Sequence, residues 1–295
     1  MVSSMQVKRA VKSCAGFASV AAAPFVRPEP GSGCILAYHR VAKLDFVDAD
    51  HDDWNVTPST FDAQVAALKQ VADIVPLDQI LDRCRRSGGI RRPAVALTFD
   101  DGYANFFTEV LPVLRRHQVP ATVFVVTSLI GTPGPPPFDA WSLKNRGRVD
   151  SSAWRTMGWG ELDHCLESGL VQVGGHSHRH LKANGCSAQE LADEAGMSRS
   201  ILMSRLGEAA LYAYPYGASR LGFVPPDYVR AVQSAGYRQA VTFDLGRVTA
   251  ASDPYRLPRV EAHGLDGPNV IRAKVAGSLA PYWLTDRLRR ARRAA

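Results

Sequence analysis

The sequence lacks any stretch of the ~18–20 uninterrupted apolar residues that a membrane-spanning helix needs. It also lacks paired cysteines. Cys14, Cys34, Cys84, Cys165 and Cys186 are an odd, scattered set without a CxxC spacing. That excludes a dense disulfide framework and favours free thiols in a reducing compartment. There is no internal repeat, which excludes a solenoid. Finally, the body of the chain lacks positive charge. The net charge is +7, but residues 1–30 contribute +3 and residues 272–295 contribute +6, leaving −2 for 31–271. A nucleic-acid binder needs a basic folded face, so no nucleic-acid partner is expected. What remains is a 295-residue chain, 46% hydrophobic, which is enough to build a large core in one domain.

The ends read differently from the body. Lys8, Arg9 and Lys12 precede an Ala-rich segment, Cys14 to Ala23, with Ala21-Ala22-Ala23 as a cleavage candidate. Its apolar core holds no Leu or Ile, so a disordered or amphipathic leader over 1–33 is preferred. A cytoplasmic location is therefore expected, at the inner membrane face where the chain meets a membrane, with export by a weak signal as the alternative. At the other end, a tail over 271–295 carries Arg287, Arg289, Arg290, Arg292 and Arg293 beside Tyr282 and Trp283. Such a run suits peripheral contact with an anionic membrane face, or a solvated terminus.

Between them, residues 34–270 alternate short apolar runs with amphipathic segments. Ile35–Tyr38, Ala94–Phe99, Val119–Val126, Leu170–Val173, Leu211–Tyr214 and Gln239–Thr242 read as strands. Thr60 is placed to cap a helix presenting Phe61, Val65, Leu68 and Val71. Residues 104–117 read as a helix that Pro112 must kink or break. Ser187 and Glu190 form a capping box for a helix ending at Gly207, and Asp227 opens another that ends at Gly236. The Pro/Gly-rich stretch 131–152 reads as a long surface loop. Six or seven such β/α units predict an α/β fold, a closed single-domain barrel, with an open doubly wound sheet as the alternative. In both, functional groups gather at the carboxyl ends of the strands.

Three blocks follow such strands. Asp100-Asp101-Gly102 gives adjacent carboxylates pointing apart, so that one can bind a metal while the other accepts a proton. His176-Ser177-His178-Arg179-His180 places two imidazoles at i and i+4, which a helical turn would aim at one point. His176 and His180 with Asp101 make a divalent-metal set with open positions. His178 is directed elsewhere by that geometry. Tyr214-Pro215-Tyr216-Gly217 can turn a backbone N–H toward a developing oxyanion.

These blocks, in this order, resemble the polysaccharide deacetylases with the NodB homology domain, carbohydrate esterase family four. Tyr38-His39-Arg40-Val41, Pro120-Ala121-Thr122-Val123-Phe124 and Leu257-Pro258-Arg259 agree with it. The resemblance covers about residues 34–270 and is nearest to the Tyr-Pro-Tyr-Gly branch, associated with exopolysaccharide biosynthesis. It implies a distorted (β/α)7 barrel. It implies hydrolysis of N-acetyl, or other acyl, groups on a sugar, oligosaccharide or polysaccharide, with a binding module of the same fold as the alternative. It implies Asp100 as general base, Asp101, His176 and His180 as metal ligands, and Tyr216 as oxyanion donor through its backbone N–H. Zinc is the default metal; cobalt, nickel, manganese and iron suit the same donors. The pattern also departs from the family. Ala213 stands where an arginine usually precedes Pro-Tyr-Gly, and the Asp-x-x-Trp and late Leu-x-His motifs are not visible. The general acid is therefore open between His39 and His263, and Arg259 is the substitute expected beside Asp100. Phe138, Trp141, Trp154 and Trp159 read as groove-lining or as packing residues.

Overall fold

The computed structural model describes residues 31–44, 55–86 and 92–277. The leader through residue 30 and the arginine run 287–293 lie outside them. In chain order the strands are β1 (Gly33–Tyr38), β2 (Arg40–Val41), β3 (Asn55–Val56), β4 (Asp73–Ile74), β5 (Ala94–Phe99), β6 (Ala121–Val125), β7 (Val171–Gly175), β8 (Leu211–Ala213), β9 (Gln239–Leu245) and β10 (Leu257–Glu261). All pairings between these strands are parallel. The order β1-β10-β9-β8-β7-β6-β5 closes on itself because β1 also pairs β5, with Leu36 opposite Leu97. This is the closed barrel the alternation implied, with the seven strands the resemblance implied, and it rules out the open sheet. β4 adds an eighth strand outside the ring, against Ala94 and Val95. The ring is distorted where β9 meets β10, at a register shift between Leu257 and Arg259.

The apolar runs form strands because both faces are covered, inside by one another and outside by helices. Every residue of β1, β5 and β6 is buried. The helix Pro58–Val71 lays Phe61, Val65 and Leu68 on the barrel. Its cap is Thr57 rather than Thr60: the Thr57 hydroxyl accepts from Thr60 N at 3.1 Å. Pro112 is absorbed as expected of a residue without an N–H. A π-turn, Phe106–Val110, hands over to the helix Leu111–His117, which places Pro112 in a first turn where that donor is not required. The capping box at Ser187 and Glu190 forms as read, and Gly207 and Gly236 close their helices in the left-handed conformation.

The stretch 131–152 carries more order than a loop reading allowed. It holds the helix Ala140–Asn145 and starts a short 3₁₀ turn, Ser151–Ala153. A further helix, Pro268–Ala276, crosses the expected 270/271 boundary of the basic tail. Its Lys274 is buried, with Nζ 2.5 Å from Asp266 Oδ2 and 2.7 Å from the Glu261 carbonyl. Part of the tail's charge is therefore neutralised inside the domain.

Candidate active site

The carboxyl ends of β5, β7 and β10 deliver the chemistry-bearing side chains to one buried cluster. Asp100 and Asp101 follow β5 directly. Asp101 has φ 70° and Gly102 φ 66°. Two successive left-handed residues, rather than the extended backbone expected, make the two carboxylates diverge. A side chain at Gly102 would also be strained and would put Cβ 2.9 Å from Val125 Cγ1, so glycine is required there.

His176 and His180 also converge without a helical turn. Residues 176–180 form a tight irregular turn with Ser177 at φ 64° and His180 at φ 62°. It closes on itself through His180 N–H to Ser177 Oγ at 2.8 Å. Buried Glu194 clamps it from outside. One carboxylate oxygen accepts from His178 N and Arg179 N at 3.1 and 2.7 Å, and the other from Arg179 Nε at 2.7 Å. His178 does turn away, with Nδ1 3.0 Å from Thr127 Oγ1.

Asp101 Oδ1 lies 3.5 Å from Nε2 of both His176 and His180. Such separations are too long for good hydrogen bonds and suit three donors around one ion. These three residues are the metal-competent cluster found among the described residues, with donor atoms within 4.8 Å of one another. His176 Nδ1 meets the Ala213 carbonyl at 2.8 Å, which leaves the Nε2 lone pair free for the cluster. Burial lowers the pKa of both histidines, most strongly at His180, where His176 adds to it. Neutral imidazoles are the ligand form. Burial, with the Asp100 and Asp139 carboxylates, pushes Asp101 up, so its ionised form calls for a cation. The donors present therefore fit a divalent metal.

Asp100 is set apart from its neighbour by Arg259. The guanidinium of Arg259, on β10, makes a fork: Nη1 to Oδ1 at 2.8 Å and Nη2 to Oδ2 at 2.7 Å. Burial works to raise the Asp100 pKa. The Arg259 charge, with His176 and His39, overcomes that and holds the carboxyl well below its ordinary range. Arg259 thus takes the place left empty by Ala213. It also donates Nε to the Thr242 carbonyl at 2.8 Å and lies over the Phe243 ring at 4.9 Å.

Both acid candidates stand on the same rim. His39 Nε2 is 3.9 Å from Asp100 Oδ2, and its ring meets Phe243 edge-on. Burial pulls its pKa down to about 4, against the opposing pull of Asp100. His263 Nε2 instead lies 3.3 Å from Glu261 Oε2, and its backbone is tied to Asp266. Tyr216 has φ 59° in the turn after β8, and its ring sits 4.8 Å from that of His180. Of the aromatic residues weighed for a groove, Phe138 is at the site, stacked on His180. Trp141 is 3% exposed and covers Arg40, and Trp159 carries Arg205 over its ring.

A closed parallel barrel with an Asp/His/His cluster and an arginine-held carboxylate at its carboxyl end defines a metal-dependent barrel hydrolase. The chain belongs to the polysaccharide deacetylase family, whose sequence model matches residues 88–240. That match includes the three sequence blocks and leaves His39 and Arg259 outside it. The chain is 27% identical over 252 residues to a poly-β-1,6-N-acetyl-D-glucosamine N-deacetylase of Staphylococcus epidermidis, covering 79% of each chain. It is 24% identical over 248 residues to the protein of that name from Staphylococcus aureus, covering 78% of each. Among solved structures, a Streptococcus pyogenes deacetylase in complex with acetate superposes with a TM-score of 0.69 at 18% identity, over 84% of this chain and 99% of that one. IcaB from Ammonifex degensii gives 0.65 at 19%, over 84% and 98%. These two likenesses bear on the fold.

Proposed function

We propose that the chain removes N-acetyl groups from a polymer or oligomer of N-acetylglucosamine, with β-1,6 linkages as the first substrate to test. The observation that carries this is the division of labour between two adjacent carboxylates. Asp100 is gripped by the Arg259 fork, while Asp101 Oδ1 lies 3.5 Å from Nε2 of both His176 and His180. A binding module has no use for that division. The names of the Staphylococcus relatives support the substrate class.

The roles follow from the chemistry of amide hydrolysis. A divalent cation at Asp101, His176 and His180, zinc by preference for two imidazoles and a carboxylate, supplies Lewis acidity toward water and the acyl carbonyl. Asp100 accepts the proton of the attacking water. The Tyr216 N–H donates to the oxygen that becomes anionic. An amine leaves poorly without a proton, and His39 delivers it. At neutral pH His39 is an uncharged imidazole, so it can give a proton only after receiving one. Asp100, 3.9 Å away and carrying the proton it has taken from the attacking water, is the source. His263, paired with Glu261, is the second reading for this role.

The test is acetate release from β-1,6- and β-1,4-linked N-acetylglucosamine oligosaccharides by purified protein. Turnover should vanish with a chelator, return with zinc, and be nearly abolished in Asp100→Asn. Glycan binding without any acyl release by metal-loaded protein would sink the hydrolase reading.

A further inference from the structure

The two histidines of the metal cluster are held in different ways. His176 has its Nδ1 fixed by the Ala213 carbonyl. His180 Nδ1 is buried and meets no hydrogen-bond partner among the described residues. A ligand histidine ordinarily has its second nitrogen anchored, because that anchor sets the plane of the ring. At His180 an aromatic face lies against the ring instead. The Phe138 ring lies on it with centroids 3.7 Å apart and planes inclined by 20°.

Phe138 comes from the 131–152 stretch, outside any strand or helix, so something else must fix it. The next residue, Asp139, is gripped by Arg40. Arg40 Nη2 reaches Asp139 Oδ2 at 2.5 Å and Ser142 Oγ at 2.9 Å, and Nε reaches the Ala153 carbonyl at 2.5 Å. The guanidinium lies over both the Tyr103 and Trp141 rings, 4.5 and 4.1 Å from their centroids. Tyr103 OH also donates to Asp139 Oδ2 at 2.6 Å. A charge 4% exposed, with a bidentate-capable fork and two aromatic faces, is a rigid mount. It immobilises the backbone one residue from the ring that covers His180.

We propose that Phe138, carried by the Arg40–Asp139 mount, is the positioning residue for His180. The ring stacking does for this ligand what the Ala213 carbonyl does for His176. The 131–152 stretch is then a working part of the metal site rather than a cover over it. This rests on the reading of Asp101, His176 and His180 as metal ligands.

The experiment compares full-length wild type, Phe138→Leu, Phe138→Tyr and Arg40→Lys. Zinc dissociation constants are read by competition with a chromophoric chelator, well below the unfolding midpoint of each metal-free protein. Phe138→Leu keeps an apolar side chain but loses the ring, and zinc binding should weaken roughly three- to tenfold. Phe138→Tyr keeps the ring and should restore wild-type affinity. Arg40→Lys loses the fork and should weaken binding in the same direction. Reading affinity on folded protein separates a positioning role from general destabilisation, which would lower the midpoint alone. Phe138→Leu that binds zinc like wild type, or Phe138→Tyr as weak as Phe138→Leu, overturns the proposal. Wild type that binds no zinc removes the metal reading beneath it, which is a different result.

Discussion

Replacing Arg259 by methionine removes a charge and keeps an apolar stem of similar length. Arg259 and Asp100 are both within 2% of full burial, so solvent screening does not soften the loss. Breaking a buried ion pair from one side leaves a bare charge in a dry site and costs about 3–5 kcal/mol. The sign with pH follows from the depressed Asp100 pKa. In the wild type the pair's contribution is fully present above the ordinary carboxylate pKa of about 4 and is lost only as pH falls through the lower folded value. Without Arg259 the main opposition to burial disappears, so the carboxyl gains a proton at a much higher pH and ceases to be a base. Urea unfolding of the metal-free protein near neutral pH should show the lowered stability. Acetate release should fall by roughly 10²–10⁴ in kcat/KM, with part of the rate returning as pH rises. Arg259→Met that keeps kcat/KM within about threefold of wild type, with an unchanged pH profile, would refute the reasoning, since threefold is under about 1 kcal/mol of barrier.

His39→Ala should lose roughly 10²–10⁴ in rate on N-acetyl sugars and far less on an aryl acetate, whose leaving group needs no proton; His263→Ala showing that selective loss instead would move the acid role to His263. Glu194→Gln keeps the shape of the clamp but removes its charge from two backbone amides and Arg179, and should destabilise the chain by about 1–3 kcal/mol in urea unfolding and weaken zinc binding. Equal zinc affinity would confine Glu194 to a purely structural role. For the arginine run, full-length protein should sediment with anionic vesicles and protein truncated before Arg287 should not; equal partitioning of the two removes the membrane contact and the peripheral location with it.

The barrel was legible because its strands announce themselves locally. Ala94–Phe99 and Ala121–Val125 are apolar but for one threonine each, Val171–Gly175 is apolar or glycine but for Gln172, and the first and third of these end directly before a polar block. Helix boundaries were legible where a cap was, as at Ser187 and Gly207. Short strands such as Asn55–Val56 and Asp73–Ile74 carry too few residues for a period to show. The helix Pro268–Ala276 was hidden because Arg272 and Lys274 read as tail charge, although Lys274 is paired inside. The Asp101, His176 and His180 cluster could be found because its residue types cluster in sequence. Arg40, Glu194 and the aromatic mount around Asp139 could not. A buried charge looks like a surface charge until its partner is known, and Arg40 meets Asp139 from 99 positions away. Arg259, by contrast, was reachable by asking what replaced the arginine missing at Ala213.

The contacts of Arg259 have one more implication. The same guanidinium that holds Asp100 also donates to Thr98 on β5 at 3.2 Å and, through Nε, to the main chain of β9. It therefore laces three strands together across the mouth of the barrel, at the end where the ring is least regular. One side chain therefore ties the strands at this end of the ring and grips the Asp100 carboxylate, so whatever displaces Arg259 disturbs the architecture and the carboxylate together.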